Sequence, residues 1–222
     1  MNTAPCTSKM TDKRLVAFDL DGVLVKGTGS WSEIHKVLGT DKISAGHGVD
    51  FQNGKISFDE WAKKDTELWK GVELEKIKKI LYKTRLMKGA GDTINALKSL
   101  NYDTIIISGG LQILADRIRD ELGMDYAIAN RLLFNNNQVC GIEQRVDFEG
   151  KGRILEKIIN EKRIDKKDTV AVGDYINDIP LFKAAGFSVA FNPKDDRLLK
   201  YADAIILDED LTKILPLLEN SR

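Results

Sequence analysis

Short, unbroken runs of apolar and largely β-branched residues recur along this chain, and each stops at a small or polar residue. Arg14-Leu15-Val16-Ala17-Phe18 ends at Asp19, Asp103-Thr104-Ile105-Ile106-Ile107 at Ser108, and Asp168-Thr169-Val170-Ala171-Val172 at Gly173-Asp174. Phe187-Ser188-Val189-Ala190-Phe191 and Ala204-Ile205-Ile206-Leu207 have the same character. A strand with one wet face alternates apolar and polar residues. A run without that alternation suits a strand covered on both faces, as in a parallel sheet under helices. Helical spacing fills the intervals. Ile94, Leu97 and Leu100 recur within 91–100, and apolar residues stand at 111, 114, 115, 118 and 122 before Gly123, a C-cap signal. Residues 151–160 place Ile154, Leu155, Ile158 and Ile159 on one face, and 177–185 and 211–218 read as further helices. The alternation predicts an α/β, doubly wound (Rossmann-like) parallel-sheet core.

Residues 27–86 break the alternation. They are charged, hold Trp31, Trp61 and Trp69, and read as wholly helical. Ser57-Phe58-Asp59-Glu60 is a capping-box pattern opening a helix through Trp69; Gly71 stops it, and 72–82 starts another, with Glu75 and Lys79 at i,i+4 spacing. The expected organisation is a core of 13–26 and 87–222, a helical cap of 27–86 inserted after the first strand, and a disordered tail of 1–12. Met10 is a possible alternative start. Residues 130–146 read as a hairpin turning at Asn135-Asn136-Asn137.

Composition narrows the function classes. Lys and Arg total 34 and Asp and Glu 34, so there is no net attraction to nucleic acid or to an anionic membrane. No apolar run approaches the roughly 18 residues of a spanning helix. The start of the chain lacks the apolar stretch of a signal peptide. Cys6 and Cys140 make neither a disulfide framework nor a zinc spacing, and a reducing cytoplasm is the expected setting. His35 and His47 have no metal-ligand spacing, although His35 is a candidate substrate contact. Gly27-x-Gly29 lacks the third glycine of a dinucleotide loop.

Open parallel sheets bind ligands beyond the carboxyl ends of their strands. Here those ends carry Asp19-Leu20-Asp21-Gly22, Ser108-Gly109-Gly110 and Gly173-Asp174-Tyr175-Ile176-Asn177-Asp178, with Lys151 at a helix start. Two carboxylates about 4 Å apart repel by roughly 4 kcal/mol at an effective dielectric of 20. A group of four, Asp19, Asp21, Asp174 and Asp178, therefore calls for a cation, and all-oxygen donors favour Mg²⁺. Ser108, the N–H groups of Gly109 and Gly110 at the start of the helix beginning at 111, and Lys151 would hold a phosphate; Lys157 is the alternative lysine. Asp19 would attack phosphorus, Asp21 would act as acid and then base, and Gly22 permits the turn between them.

In these motifs the chain resembles the haloacid-dehalogenase superfamily, and within it the phosphoserine-phosphatase-like branch. Phe18-Asp19-Leu20-Asp21-Gly22-Val23-Leu24, Ile107-Ser108-Gly109-Gly110, Lys151 and Gly173–Asp178 match its four motifs in order. The resemblance implies Mg²⁺ held by the side chains of Asp19 and Asp174, by the Asp21 carbonyl, and through water by Asp178, with Asn177 near the phosphate. Two departures bear on substrate. Phosphoserine phosphatases carry a cap glutamate nine residues after the nucleophile, where this chain has Thr28. They also use a cap arginine, and residues 27–84 contain none, Arg85 being the first. Trp31, His35, Phe51, Phe58, Trp61 and Trp69 suggest an aromatic cap instead. The expected function is Mg²⁺-dependent hydrolysis of a small phosphorylated metabolite by a monomer or homodimer. Alternatives are phosphoserine phosphatase proper, a phosphotransferase or phosphomutase sharing the aspartyl phosphate, and a non-enzymatic metal- or phosphate-binding module.

Overall fold

The computed structural model describes residues 13–219. The expected tail 1–12, Met10 and Cys6 lie outside the described residues. Seven strands form one sheet: β1 (Arg14–Phe18), β2 (Tyr102–Leu111), β3 (Tyr126–Asn135), β4 (Gln138–Glu143), β5 (Thr169–Gly173), β6 (Phe187–Phe191) and β7 (Ala204–Ile206), in the order β4-β3-β2-β1-β5-β6-β7. Every pairing is parallel except the β3–β4 hairpin. The hairpin is as the sequence predicts, but β3 starts at Tyr126 and its first half also pairs with β2.

The continuous apolar runs have the predicted cause. In β1, Val16 and Phe18 enter one apolar cluster while Leu15 and Ala17 enter the other, on the opposite face. Ile106 and Val172 side with Phe18; Ile105, Ile107 and Ala171 side with Leu15. Successive strand residues point to opposite faces, so a strand covered twice needs apolar residues at every position. Each such side chain contributes about 1.5–3 kcal/mol on burial. One face is covered by α5 (Ala90–Ser99) and α6 (Gln112–Leu122), the other by α7 (Lys151–Lys162) and α8 (Ile179–Ala184). The chain closes with α9 (Leu215–Glu219) after a short 3₁₀ turn.

Four helices occupy the region after β1: α1 (Ser30–Leu38), α2 (Asp41–Gln52), α3 (Phe58–Glu67) and α4 (Leu74–Leu81). The chain enters and leaves them side by side, with Lys26 N–H donating to Arg85 O at 2.9 Å and Met87 N–H to Leu24 O at 2.8 Å. Both halves of the Ser57–Glu60 capping box form, at 3.2 and 2.7 Å. The helix ends at Glu67 rather than Trp69, because Trp69 turns into the apolar interior beside Ile34, Ile77 and Leu81. Glu75 pairs with Lys78 at 2.9 Å, not with Lys79.

The register fixes where the strands end. Phe18 lies opposite Ile106 on β2 and Val172 on β5, so Asp19, Ser108 and Asp174 emerge together beside the central strand. Between β2 and β5 the connections leave β1 in opposite directions, the switch point of an open α/β sheet. Helix α7 is pressed against α8 through Gly152, where an added Cβ would stand 2.8 Å from the Pro180 carbonyl carbon. Gly152→Ala is expected to destabilise the fold by about 1–3 kcal/mol, as overpacking does. An unchanged urea midpoint would show that α7 and α8 can separate freely.

Candidate active site

Lys151 is the largest charge inside the molecule without solvent contact. It is 0% exposed at the first position of α7, and its Nζ lies 2.9 Å from Asp19 Oδ1 and 2.6 Å from Asp178 Oδ1. Burial works against its charge, but the Asp178 and Asp19 carboxylates outweigh that and hold its pKa above the usual lysine range. Lys157, the alternative, is exposed and faces Glu161 at 3.9 Å. The geometry therefore selects Lys151.

Asp19 begins where β1 ends: its N–H still donates to Val172 O at 2.9 Å, and its Oδ1 accepts from Leu20 N–H at 2.7 Å. Asp178 closes the loop after β5, its Oδ2 accepting from the N–H groups of Asp174 at 2.9 Å and Tyr175 at 3.1 Å. Pro180 stands in the first turn of α8. Oxygens of Asp19, Asp174 and Asp178 lie within 4.8 Å of one another, all three residues being buried. Asp174 Oδ2 is buried without a well-directed hydrogen bond, and Lys194 brings its ammonium against it. Three convergent buried carboxylates that already draw in two lysines fit a hard divalent cation with oxygen ligands.

Asp21 stands outside that triangle. Its Oδ2 accepts from Ser30 N–H at 3.2 Å and Ser30 Oγ at 3.1 Å, at the start of α1. Gly22 adopts φ 88°, and a Cβ there would overlap the Asp174 carboxylate, so glycine is required for both the turn and the close approach. Burial, then the Asp19 charge, push the Asp21 carboxyl up to about 6, against the opposing pull of Ser30 and Lys151. Burial followed by the charges of Asp19 and Asp178 pushes Asp174 up to about 7, with Lys194 opposing. Burial also raises Asp178, with Lys151 pulling it back.

Ser108 is buried at the same edge. The helix after it starts one residue later than the sequence spacing predicts. Strand β2 runs on through Gly109 and Gly110 to Leu111, and α6 begins only at Gln112. Gly110 N–H is taken by Ser108 Oγ at 3.0 Å, and Leu111 N–H donates to Ser30 Oγ at 3.1 Å. The reason is that Gly109 O is fixed from outside the helix, accepting from Trp31 Nε1 at 3.0 Å and Asn130 Nδ2 at 2.9 Å. Gly110 must be glycine because a Cβ would stand 2.7 Å from both Asp21 Oδ2 and Ser30 Oγ. Asn177 lines the same cavity, its Oδ1 buried without a hydrogen bond.

A cavity of about 390 Å³ opens above these groups, between the sheet edge and α1–α3. Trp31, Phe58, Trp61 and Phe148 line it. Trp69 does not; it is core, and donates through Nε1 to His35 Nδ1 at 3.2 Å. His35 reaches the cavity wall but is 2% exposed and internally bonded. Sequence reasoning passed over Ser30, Lys194 and Phe148. Only Lys194 left a sequence signal, following the end of β6 on the edge that carries the other groups.

A haloacid dehalogenase-like hydrolase family profile matches residues 13–186. This chain belongs to the haloacid dehalogenase-like hydrolases. A phosphoserine phosphatase of Methanocaldococcus jannaschii is 38% identical over 205 residues, spanning 91% of this chain and 96% of that protein. One from Polaromonas is 31% identical over 228 residues, spanning 99% of this chain and 95% of that one. Among solved structures, a phospho-aspartyl intermediate analogue of phosphoserine phosphatase superposes with a TM-score of 0.83 at 36% identity, covering 93% of this chain and 99% of that one. The chain is thus a phosphatase of the phosphoserine-phosphatase-like branch, and phosphatases of this family generally use Mg²⁺. Among the described residues, no helix is long and apolar enough to cross a membrane.

Two outcomes follow from the charge cluster. Replacing Lys151 by methionine strands Asp19 and Asp178 without their cation and is expected to cost about 3–5 kcal/mol in urea unfolding with EDTA. Asp21 and Asp174 have folded pKa values of about 6 and 7 against unfolded values near 3.9. Between pH 4 and 7 the folded state therefore holds more protons than the unfolded one, and stability falls as pH rises. In EDTA the unfolding midpoint should be higher at pH 5 than at pH 8, and Mg²⁺ should raise it more at pH 8. A midpoint rising from pH 5 to 8 in EDTA would contradict the raised carboxyls.

Proposed function

We propose that this chain hydrolyses a small phosphomonoester with Mg²⁺ through a phosphorylated Asp19. The observation that carries the reading is Lys151, buried between Asp19 and Asp178 beneath Ser108 at the switch point of the sheet. Asp19, Asp174 and Asp178, with the Asp21 main chain, would hold the metal, which when bound offsets carboxylate charge and stabilises charge on the phosphoryl oxygens. Residues 27–86 serve as the cap over this site.

Asp19 attacks phosphorus, forming the Asp19–phosphorus bond as the bond from phosphorus to the ester oxygen breaks. Asp21, with a pKa near 6, gives its proton to the departing oxygen. The same carboxylate then takes a proton from water as it attacks the aspartyl phosphate, releasing phosphate and restoring Asp19. Ser30 holds Asp21 Oδ2, which fixes the rotamer of the acid. Lys151, Ser108 and Asn177 would face the phosphoryl oxygens. The cavity above, capped by α1–α3, limits access of water to the acyl phosphate.

Phosphoserine is a second reading, favoured by the names of the relatives. Against it, Thr28 is engaged by Glu33 at 3.0 Å and Lys36 at 2.7 Å, and no arginine occurs between 27 and 84. Phosphate release from a panel of esters, with Mg²⁺ and with EDTA, tests both. Release should require Mg²⁺ and fall by at least about 10³-fold in Asp19→Asn. An Asp19→Asn protein that kept its activity would remove Asp19 as nucleophile, and phosphoserine leading the panel would favour the second reading.

A further inference from the structure

The roof of the cavity carries a carboxylate that phosphoryl transfer does not use. Asp65, on α3, lines the cavity and is 2% exposed. Ser44 Oγ donates to its Oδ2 at 2.8 Å, His47 Nδ1 lies 2.6 Å from its Oδ1, and His35 Nε2 lies 3.1 Å from Oδ2. The state of His35 follows from its other nitrogen. Nδ1 receives Trp69 Nε1–H at 3.2 Å and faces Thr40 Oγ at 2.7 Å, so it is an acceptor and the ring proton sits on Nε2. That nitrogen meets Asp65 off the line of a straight hydrogen bond.

Burial pushes the Asp65 carboxyl up, but His35, His47 and Ser44 gathered around it outweigh that and hold it below the usual carboxylate range. Asp65 is therefore an anion at neutral pH. The rings of Trp31, Trp61, Phe58 and Phe148 line the same cavity. Among the described residues, the cavity wall has one lysine, Lys194, which is on the sheet side against Asp174, and no arginine. A substrate carboxylate reaching the roof would meet Asp65 with no lysine or arginine to receive it. An ammonium group would gain from Asp65 and from the aromatic faces together.

We propose that the phosphomonoester taken here carries a cationic amine or ammonium at its distal end and no carboxylate, with Asp65, Trp31 and Trp61 forming the selecting wall; this rests on the hydrolase reading above. The direct test compares kcat/KM of the full chain with Mg²⁺ for phosphoethanolamine, phosphocholine, phosphoserine and glycerol phosphate. Phosphoethanolamine differs from phosphoserine only by the carboxylate, and it should be turned over at least about tenfold more efficiently. Asp65→Asn should bring the preference for phosphoethanolamine over glycerol phosphate down towards one. Should that variant fail to fold, the wild-type comparison decides alone. Calorimetric binding of the same four esters to Asp19→Asn with Mg²⁺ separates the two claims. Amine esters binding ahead of phosphoserine without any hydrolysis by wild type would support the selecting wall and sink the hydrolase. Hydrolysis with phosphoserine equal or ahead would sink the selecting wall and keep the hydrolase, and absence of both binding and turnover would overturn both.

Discussion

The site depends on one constraint: four carboxylates crowd the end of a buried sheet, and they must be given positive charge without water. Lys151 answers part of it. An ammonium with no solvent contact is costly to desolvate, and only two carboxylates at 2.9 and 2.6 Å make its placement tolerable. That demand fixes the start of α7, which in turn requires Gly152 against Pro180 so that α7 and α8 can approach. Burial first, and then the neighbouring carboxylate charges, raise the carboxyls of Asp21, Asp174 and Asp178. The divalent cation proposed for this site would offset that charge.

The helical segment is tied to the same charges. Ser30 opens α1, donates to Asp21 and accepts from Leu111 N–H, while Trp31 reaches Gly109 O. Two adjacent residues of one helix thus bind the ends of β1 and β2. A second tie is apolar: the rings of Phe51 and Phe58 meet Phe148 in tilted contacts at 5.3 and 6.1 Å, three residues before Lys151. Movement of this helical segment would therefore be felt at Asp21, at the strand end carrying Ser108, and in the loop leading to α7.

The interior of the cap is polar where a small bundle would ordinarily be apolar. Asp65 gathers Ser44, His47 and His35 from three points on two other helices, and Trp69 completes the network through His35. Such a network gives little stability over an apolar core, but it holds a charge at a fixed point on the cavity wall. Position rather than stability is what a binding surface needs.

Much of the catalytic half was legible in the sequence because it is local. Strands buried on both faces must be apolar at every residue, so β1, β2, β5, β6 and β7 announced themselves, and chemistry at their ends sits within a few residues of each run. Asp19, Asp21, Ser108, Asp174 and Asp178 are legible from such adjacency, and Lys151 from its place at a helix start. The chain could not show that β2 continues through Gly110, because that extension is set by Trp31 and Asn130 bonding to Gly109 O across 78 and 21 residues. Nor could it show that Ser30 would hold Asp21, that Lys194 would meet Asp174, or that Asp65 would face the cavity with two histidines. Periodicity and motif spacing record what a residue needs from its own element. Contacts between elements are decided by register and packing, and those exist only once the sheet and its helices have closed on one another.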